Sequence, residues 1–341
     1  MTTEPTSLDI AIFEEEIASW LPSEILDFHV HVGLPGHCGP IAPERIAANW
    51  ALEVGTAQSW QELRGTYAAL FPGWQVGCLA FGGVNREVDT DANNAYVLAG
   101  ASEPANRASA LLCTRPEWPV EKVAAGLRAG YRGLKPYPDM APTGHESVFD
   151  FVPPGHLAAL DDAAGVLMLH LPRAGRLGDP DNTREVLEIR SRYPRVNLVI
   201  AHIGRAYCLP TAMRGLPALA DDDGIFFDTA ANLNADVFAY ALDAVGPGRL
   251  LFGSDLPITT MRGVREHVGE QYINFTSANY SWNTRRKSPD AEARYTFFLY
   301  EELRALIGAA GRCGLGRDDV ARIMYGNGAG LLGLGAQSTG G

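Results

Sequence analysis

Short apolar runs alternate along the chain with longer segments of helical periodicity. The apolar runs are nearly continuous, which is typical of parallel strands that are buried on both faces. Asp, Asn or Pro precedes several of the helical segments, as expected at helix N-termini. The pattern predicts eight strands, at residues 24–32, 75–81, 108–114, 131–137, 165–171, 196–203, 224–230 and 249–255, and helices at 88–102, 119–129, 153–164, 182–192, 209–220 and 235–244.

This order of elements predicts an α/β fold of the closed (β/α)₈ type, the TIM barrel. A doubly wound open sheet is the alternative, but no G-x-G-x-x-G motif follows the first strand. No low-complexity tract, repeat or linker divides the chain, so we expect a single domain over residues 1–341, with a barrel core at about 24–335.

Two long connections interrupt the alternation, at residues 33–74 and 258–292. Both follow the carboxyl end of a predicted strand, where the loops of such barrels build active sites. The first contains His37, for which we expect a surface or capping role, with a place in the pocket as the alternative. The second carries Tyr272, Phe275, Tyr280 and Trp282, and its aromatic character fits either a wall or lid of a substrate pocket or a homodimer contact.

Polar residues interrupt the apolar strands mainly at their carboxyl ends. His29 and His31, in DFHVHVG, are two apart and therefore project from the same face of the first strand. Such ends converge on one mouth of a barrel, so residues distant in sequence become neighbours there. The other predicted members of this cluster are Lys135, His170, His202 and Asp255.

Imidazole and carboxylate groups in this arrangement indicate a divalent metal, Zn²⁺ first, with Mn²⁺ and Fe²⁺ as alternatives. A metal with an open position lowers the pKa of bound water towards neutrality. Two hydrogen-bonded core histidines are the alternative for the H-x-H pair alone, and a helix-capping role is the alternative for Asp255.

An ordered set of motifs extends this picture: DFHVHVG, GLKPYP, LHLP, AHIG, FGSDLP and IMYGNGAGLLGL. Over about residues 24–335 the set resembles the amidohydrolase superfamily, specifically its amidohydrolase-related (amidohydrolase 2) branch. That branch contains metal-dependent hydrolases and also non-oxidative decarboxylases similar to aminocarboxymuconate semialdehyde decarboxylase.

The resemblance implies that His29, His31, His170 and Asp255 bind the metal and that Asp255 also transfers a proton. His202 would bind a second metal or polarise the substrate. Lys135 matches the lysine that is carboxylated and bridges two metals in binuclear members; in a site with one ion, which we favour, it is a cationic substrate contact or a structural ion pair. Tyr137 stands where the branch often has a histidine, which leaves the substrate class open and makes Tyr137 a candidate substrate contact.

Arg173 and Arg205 follow the histidines of predicted strands 5 and 6. Their planar guanidinium groups either grip a substrate carboxylate or pair with local acids such as Asp179 and Asp228. The expected activity is hydrolysis of a small carboxylate-bearing, amide, ester or lactone substrate. Decarboxylation on the same site is the first alternative, and a non-catalytic metal-binding barrel is the second.

The composition of the chain limits the classes of partner that we expect it to bind. The net charge of −12 disfavours nucleic acid and anionic membranes, and no segment has eighteen consecutive apolar residues. The five cysteines are scattered without a C-x-x-C spacing, which predicts neither disulfides nor a thiolate zinc site. We therefore expect a cytoplasmic protein whose partners are a small-molecule substrate and, as one alternative, a second copy of itself.

Overall fold

The parallel strands form one continuous ladder, in which the chain after the last strand pairs with the first strand. A computed structural model describes residues 4–55, 57–141 and 146–334, so the extreme ends of the predicted domain, including residue 335, lie outside the described residues. The strands are β1 Glu24–His31, β2 Gln75–Phe81, β3 Ala108–Ala110, β4 Leu112–Thr114, β5 Gly133–Pro136, β6 Val166–Leu169, β7 Asn197–Ile200, β8 Ile225–Asp228, β9 Leu250–Leu251, β10 Gly263–Val268 and β11 Gln271–Thr276.

Helices lie between the strands and cover the outside of the ladder. All six predicted helices are present, with ends within two residues of the predicted ones. The α-helices are Ser7–Ile12, Pro43–Ala48, Trp50–Val54, Trp60–Leu70, Thr90–Ala101, Val120–Ala129, Pro154–Asp162, Pro180–Arg192, Leu209–Leu219, Ala235–Val245, Pro289–Glu292, Phe298–Arg312, Arg317–Ala321 and Asn327–Leu331. None of the helices in the described ranges is both long and apolar enough to span a bilayer.

The ladder closes through hydrogen bonds beyond β9. One sheet has the order β1-β2-β3 and another the order β4 to β9, and Leu111 joins β3 to β4 within one predicted strand. The Phe28 amide donates to the Phe252 carbonyl at 2.7 Å, and the His31 amide donates to Leu256 at 2.9 Å. The segment after β9 therefore pairs with β1, which confirms the predicted (β/α)₈ barrel.

A register irregularity in β1, between Asp27 and Val30, sets the direction of its histidines. Phe28 packs in the cluster inside the barrel, with residues such as Phe81, whereas Val30 packs outside it against the surrounding helices. Such an irregularity re-aims side chains. His29 and His31 consequently point together into the mouth of the barrel.

The two predicted insertions meet beside this mouth. Residues 33–74 contain three of the helices, and residues 258–292 contain the antiparallel hairpin β10–β11. The ring of Trp50 lies 5.6 Å from that of Trp282, which stacks on Tyr280. Glu53 accepts hydrogen bonds from the amide and hydroxyl of Ser281, each at 2.7 Å. The two insertions therefore pack against each other through aromatic rings and hydrogen bonds.

Candidate metal centre and active site

A cavity of about 530 Å³ opens at the carboxyl ends of the strands. The structure brings into it most of the predicted site residues. Six of them, which we call the histidine floor, are His29, His31, Lys135, His170, His202 and Asp255. Tyr137 and Arg205 also line this cavity.

Three side chains of the floor present metal-donor atoms close together. The donor atoms of His29, His31 and Asp255 all lie within 4.8 Å of one another. Asp255 Oδ1 is 3.4 Å from His31 Nε2 and 3.7 Å from His29 Nε2. These three residues therefore form the densest part of the predicted ligand set.

Hydrogen bonds on the far side of each ring determine which imidazole nitrogen faces the cavity. His29 Nδ1 lies 2.8 Å from Asp228 Oδ2, and His31 Nδ1 lies 3.1 Å from the Gly82 carbonyl. His202 Nδ1 lies 2.9 Å from the Ala230 carbonyl. Because all three partners are acceptors, the ring proton belongs on Nδ1 and the Nε2 lone pair points inwards.

This arrangement fits a bound cation. Burial, followed by the nearby charge of Lys135, lowers the pKa of His29 well below its ordinary value, so the ring is neutral. Two Nε2 lone pairs then face the carboxylate of Asp255, and these electron-rich atoms repel one another unless a cation lies among them. Outward anchoring of Nδ1 with Nε2 left free is the arrangement that orients metal-binding histidines.

Asp255 remains a carboxylate in spite of its surroundings. Burial alone would raise its pKa, but the nearby rings of His31, His202 and His29 hold that pKa well below its ordinary value. Asp255 has φ 55°, and its amide donates to the His29 carbonyl at 2.8 Å. Left-handed backbone is costly for a residue other than glycine and is concentrated at functional sites.

His170 and Lys135 each have a buried nitrogen that lacks a hydrogen-bond partner among the described residues, Nδ1 and Nζ respectively. The His170 ring lies 5.5 Å from that of His202 and 4.6 Å from that of Tyr137. His170 therefore lines the cavity beside, but not within, the close group of His29, His31 and Asp255. Its free nitrogen is consistent with an external ligand.

Lys135 is 1% exposed, and its ammonium lies 4.6 Å from the centre of the Phe81 ring. Burial lowers the pKa of Lys135 to about 8, although Asp228 and Asp255 oppose the shift. Of the two roles expected for Lys135 beside a single ion, the structural ion pair is not formed, since none of the described acids is within 4.0 Å of Nζ. Burial also raises the pKa of Tyr137 to about 12, which keeps its hydroxyl protonated.

His202 and Asp255 do not end strands as the sequence predicts. The strands stop earlier, at Ile200 and Leu251. His202 instead opens a left-handed turn in which φ is 57° at His202, 63° at Gly204 and 61° at Arg205. The amide of His202 donates to Asp228 Oδ1 at 2.6 Å, which fixes the start of this turn.

Two candidate pocket residues lie elsewhere. Arg173 is not among the described lining residues of the cavity, because its guanidinium pairs with Glu185 at 2.8 and 3.1 Å and with Asn182 at 3.2 Å. His37 packs its ring 5.5 Å from that of Tyr96, and its Nδ1 accepts from the Leu34 amide at 3.4 Å. Arg173 thus pairs with a local acid, and His37 has the expected capping role and is not among the described residues that line the cavity.

Sequence reasoning also missed residues that shape the site. Asp228, at the end of β8, holds both the His29 ring and the His202 backbone. Tyr207 and Arg265, which were also missed, join the predicted Arg205 and Tyr272 in a second group of cavity residues, which we call the arginine wall. An acidic residue at a strand end was the available signal for Asp228, whereas nothing local marks Tyr207 or Arg265.

A comparison with models of protein families shows which family the chain belongs to. The family model described as Amidohydrolase matches residues 27–334. The chain belongs to the amidohydrolase family. No curated protein matches this amidohydrolase in sequence.

Solved structures share its fold. A zinc-bound amidohydrolase from Burkholderia multivorans is 15% identical with a TM-score of 0.59, covering 91% of this chain and 99% of that one. The 5-carboxyvanillate decarboxylase of Sphingomonas paucimobilis is 12% identical at TM-score 0.56, with the same coverage. A probable 2-pyrone-4,6-dicarboxylic acid hydrolase from Acinetobacter baumannii is 15% identical at TM-score 0.54, again with the same coverage. The barrel of this amidohydrolase thus occurs in both hydrolases and decarboxylases.

Proposed function

We propose that this amidohydrolase is a metal-dependent hydrolase of a small carboxylate-bearing substrate with an amide, ester or lactone bond. The observation that carries the proposal is the group of His29, His31 and Asp255, whose donor atoms lie within 4.8 Å of one another at the floor of the cavity. A neutral, inward-facing Nε2 and an ionised carboxylate are the ligands that zinc prefers.

A divalent ion, Zn²⁺ first with Mn²⁺ or Fe²⁺ as alternatives, would be held by His29, His31, Asp255 and His170, and when bound it would polarise a carbonyl and lower the pKa of water. We propose one ion rather than two, because Lys135 is a buried side chain whose unmodified ammonium cannot act as a ligand. The comparison that supports zinc is the zinc-bound Burkholderia amidohydrolase of the same fold.

The chain's own groups supply the proton transfers and the substrate contacts. Asp255 is ionised at neutral pH and is placed to accept a proton from the attacking water and to return it to the leaving group. His202 exchanges a proton with the substrate at Nε2, since its Nδ1 proton is bonded to Ala230. The Lys135 ammonium offers hydrogen-bond donors to negative charge that develops in the transition state.

Decarboxylation is the second candidate. A metal held by the same donor set would also coordinate a substrate carboxylate, and Arg205 and Lys135 lie in the same cavity as further cations. In that reaction Asp255 or His202 would help to protonate the carbanion. A decarboxylase is among the structures with this fold.

Isotope labelling distinguishes the two reactions. Zinc-loaded protein is incubated in H₂¹⁸O with a panel of carboxylate-bearing lactones, esters and amides and of aromatic carboxylates, with Asp255→Asn as the control. Hydrolysis requires ¹⁸O in the organic product without release of CO₂. Release of CO₂ without ¹⁸O in the organic product would reject hydrolysis, and no turnover of any compound would favour a non-catalytic metal-binding barrel.

A further inference from the structure

The hairpin β10–β11 inserts one arginine into the cavity. Arg265 is 7% exposed and lines the cavity. Its Nε donates to Asn274 Oδ1 at 2.8 Å, and its Nη1 donates to the Ala231 carbonyl at 2.6 Å. The guanidinium also lies 4.5 Å from the centre of the Tyr207 ring and 4.7 Å from that of Tyr272. These contacts fix the orientation of the guanidinium but contain no negative charge.

Other cationic residues near the hairpin are neutralised. Arg262 pairs with Asp9, and Lys287 pairs with Glu266 at 2.7 Å. Arg265, by contrast, has no carboxylate within 4.0 Å in the ranges that the structure describes, and its Nη2 has no acceptor there. A buried charge without a counter-charge is costly, so an anion in the cavity would relieve that cost.

A second unpaired guanidinium stands on the same wall. Arg205 donates from Nη1 to the Leu171 carbonyl at 3.1 Å and likewise has no ion pair with a described acid. Burial and the neighbouring Tyr272 raise the pKa of Tyr207, whereas the charges of Arg265 and Arg205 both oppose that rise. Tyr207 is therefore within electrostatic reach of both arginines.

We propose that Arg265 and Arg205 form a subsite for a second carboxylate of the substrate, separate from the histidine floor. Tyr207 and Tyr272 hold Arg265 in position, and planar guanidinium groups bind carboxylates in a fork geometry. The proposal deepens the proposed function, because it specifies a dicarboxylate substrate. The hairpin that supplies Arg265 is an insertion, the part of a barrel that sets specificity.

Isothermal titration calorimetry of the zinc-loaded protein tests the subsite without requiring turnover. The probes are terephthalate and 4-carbamoylbenzoate, in which one carboxylate is replaced by a neutral amide of nearly the same shape. We expect the wild type to bind terephthalate about tenfold to a hundredfold more tightly, the range for a lost charge-assisted hydrogen bond. Arg265→Gln and Arg205→Gln should each reduce this preference to about threefold or less.

The matched control is Arg176→Gln. Arg176 lies 5.6 and 5.0 Å from the same two tyrosine rings but is not among the described residues that line the cavity. Its removal should preserve the preference, which separates direct binding from a general loss of positive charge. If Arg265→Gln does not fold, as judged by circular dichroism, the preference measured for Arg205→Gln tests the subsite.

A preference for terephthalate that persists in the folded variants, or that is absent from the wild type, would overturn the subsite. A preference that the variants abolish, in a protein that hydrolyses nothing, would support the subsite and reject the proposed function. The two proposals can therefore fail separately.

Discussion

The histidine floor and the arginine wall lie in one cavity but have opposite electrostatic requirements. On the floor, His29 and His31 turn electron-rich nitrogen atoms towards the carboxylate of Asp255, an arrangement that a cation completes. On the wall, Arg205 and Arg265 are cations without a described counter-charge, an arrangement that an anion completes. The difference supports the two proposals together, a metal at one side of the cavity and an anionic substrate group at the other.

The two regions also differ in origin. The floor residues lie on barrel strands or within a few residues of their carboxyl ends, whereas Arg265 and Tyr272 come from the hairpin β10–β11. The barrel topology determines where the floor residues converge. Half of the arginine wall therefore depends on how an insertion folds, whereas its other members, Arg205 and Tyr207, follow the same barrel strand as His202 of the floor.

Removal of Asp255 should have the largest effect. In Asp255→Ala we expect the loss of stoichiometric zinc after dialysis, measured by elemental analysis, and a fall in turnover of at least about a thousandfold, because one residue serves as ligand and base. His37→Ala is the control, since His37 packs on Tyr96 outside the cavity, and it should retain both properties. An Asp255→Ala protein that keeps one zinc per chain would contradict the assignment of the histidine floor as the metal site.

Arg173 and Arg265 should respond in opposite ways to substitution by methionine. Arg173→Met removes the nearer of two cations from the carboxylate of Glu185, whose side chain is 4% exposed, and leaves Arg184 at 3.7 Å, so we expect unfolding to become easier by about 3 kcal/mol. Arg265→Met removes an unpaired buried charge and should cost no more than about 1 kcal/mol. Urea denaturation of both variants measures the contrast, and equal losses would show that Arg265 is as fully paired as Arg173.

Lys135 should make the metal-free protein more stable at higher pH. Its folded pKa of about 8 is below its ordinary value of 10.5, so between these values the unfolded chain binds a proton that the folded chain lacks. The free energy of unfolding should therefore rise through this window by about 3 kcal/mol relative to Lys135→Met. Denaturation of both proteins at pH 7 and pH 10.5 measures the difference, and no difference would place the Lys135 ammonium in a hydrated or paired environment.

Asp228→Asn should have the smallest of these effects. Asp228 anchors the His29 ring at 2.8 Å and donates no atom to the close group of His29, His31 and Asp255. We expect zinc affinity to fall about tenfold to a hundredfold, as measured by competition with a chromogenic chelator. A loss as complete as in Asp255→Ala would instead make Asp228 a direct ligand, together with His29 and His202.

The residues of the histidine floor could be predicted from the sequence because the carboxyl ends of the strands of a barrel converge on one mouth. His29, His31, Lys135, His170 and Asp255 could be placed in one mouth from hydrophobic periodicity and residue type alone. The direction of the two β1 histidines depends on a register irregularity that the apolar pattern does not show.

Other features depend on tertiary contacts and could not be derived from local sequence. The left-handed turn at His202 is fixed by Asp228, which is distant in sequence. Hydrogen bonds to Asn274 and Ala231 orient the side chain of Arg265 into the cavity. A hydrogen bond to Glu185 holds the side chain of Arg173 outside the cavity. Each of these outcomes was decided by a hydrogen-bond partner that no spacing rule identifies.

The central claim is that the floor holds one catalytic cation. An anomalous-scattering map of crystals of the zinc-loaded protein, together with elemental analysis of the same sample, tests it most directly. We predict one zinc per chain, bound by Nε2 of His29, Nε2 of His31, the carboxylate of Asp255 and the ring of His170, beside an unmodified Lys135. Zinc elsewhere in the molecule, or two ions bridged by a carboxylated Lys135, would contradict the account.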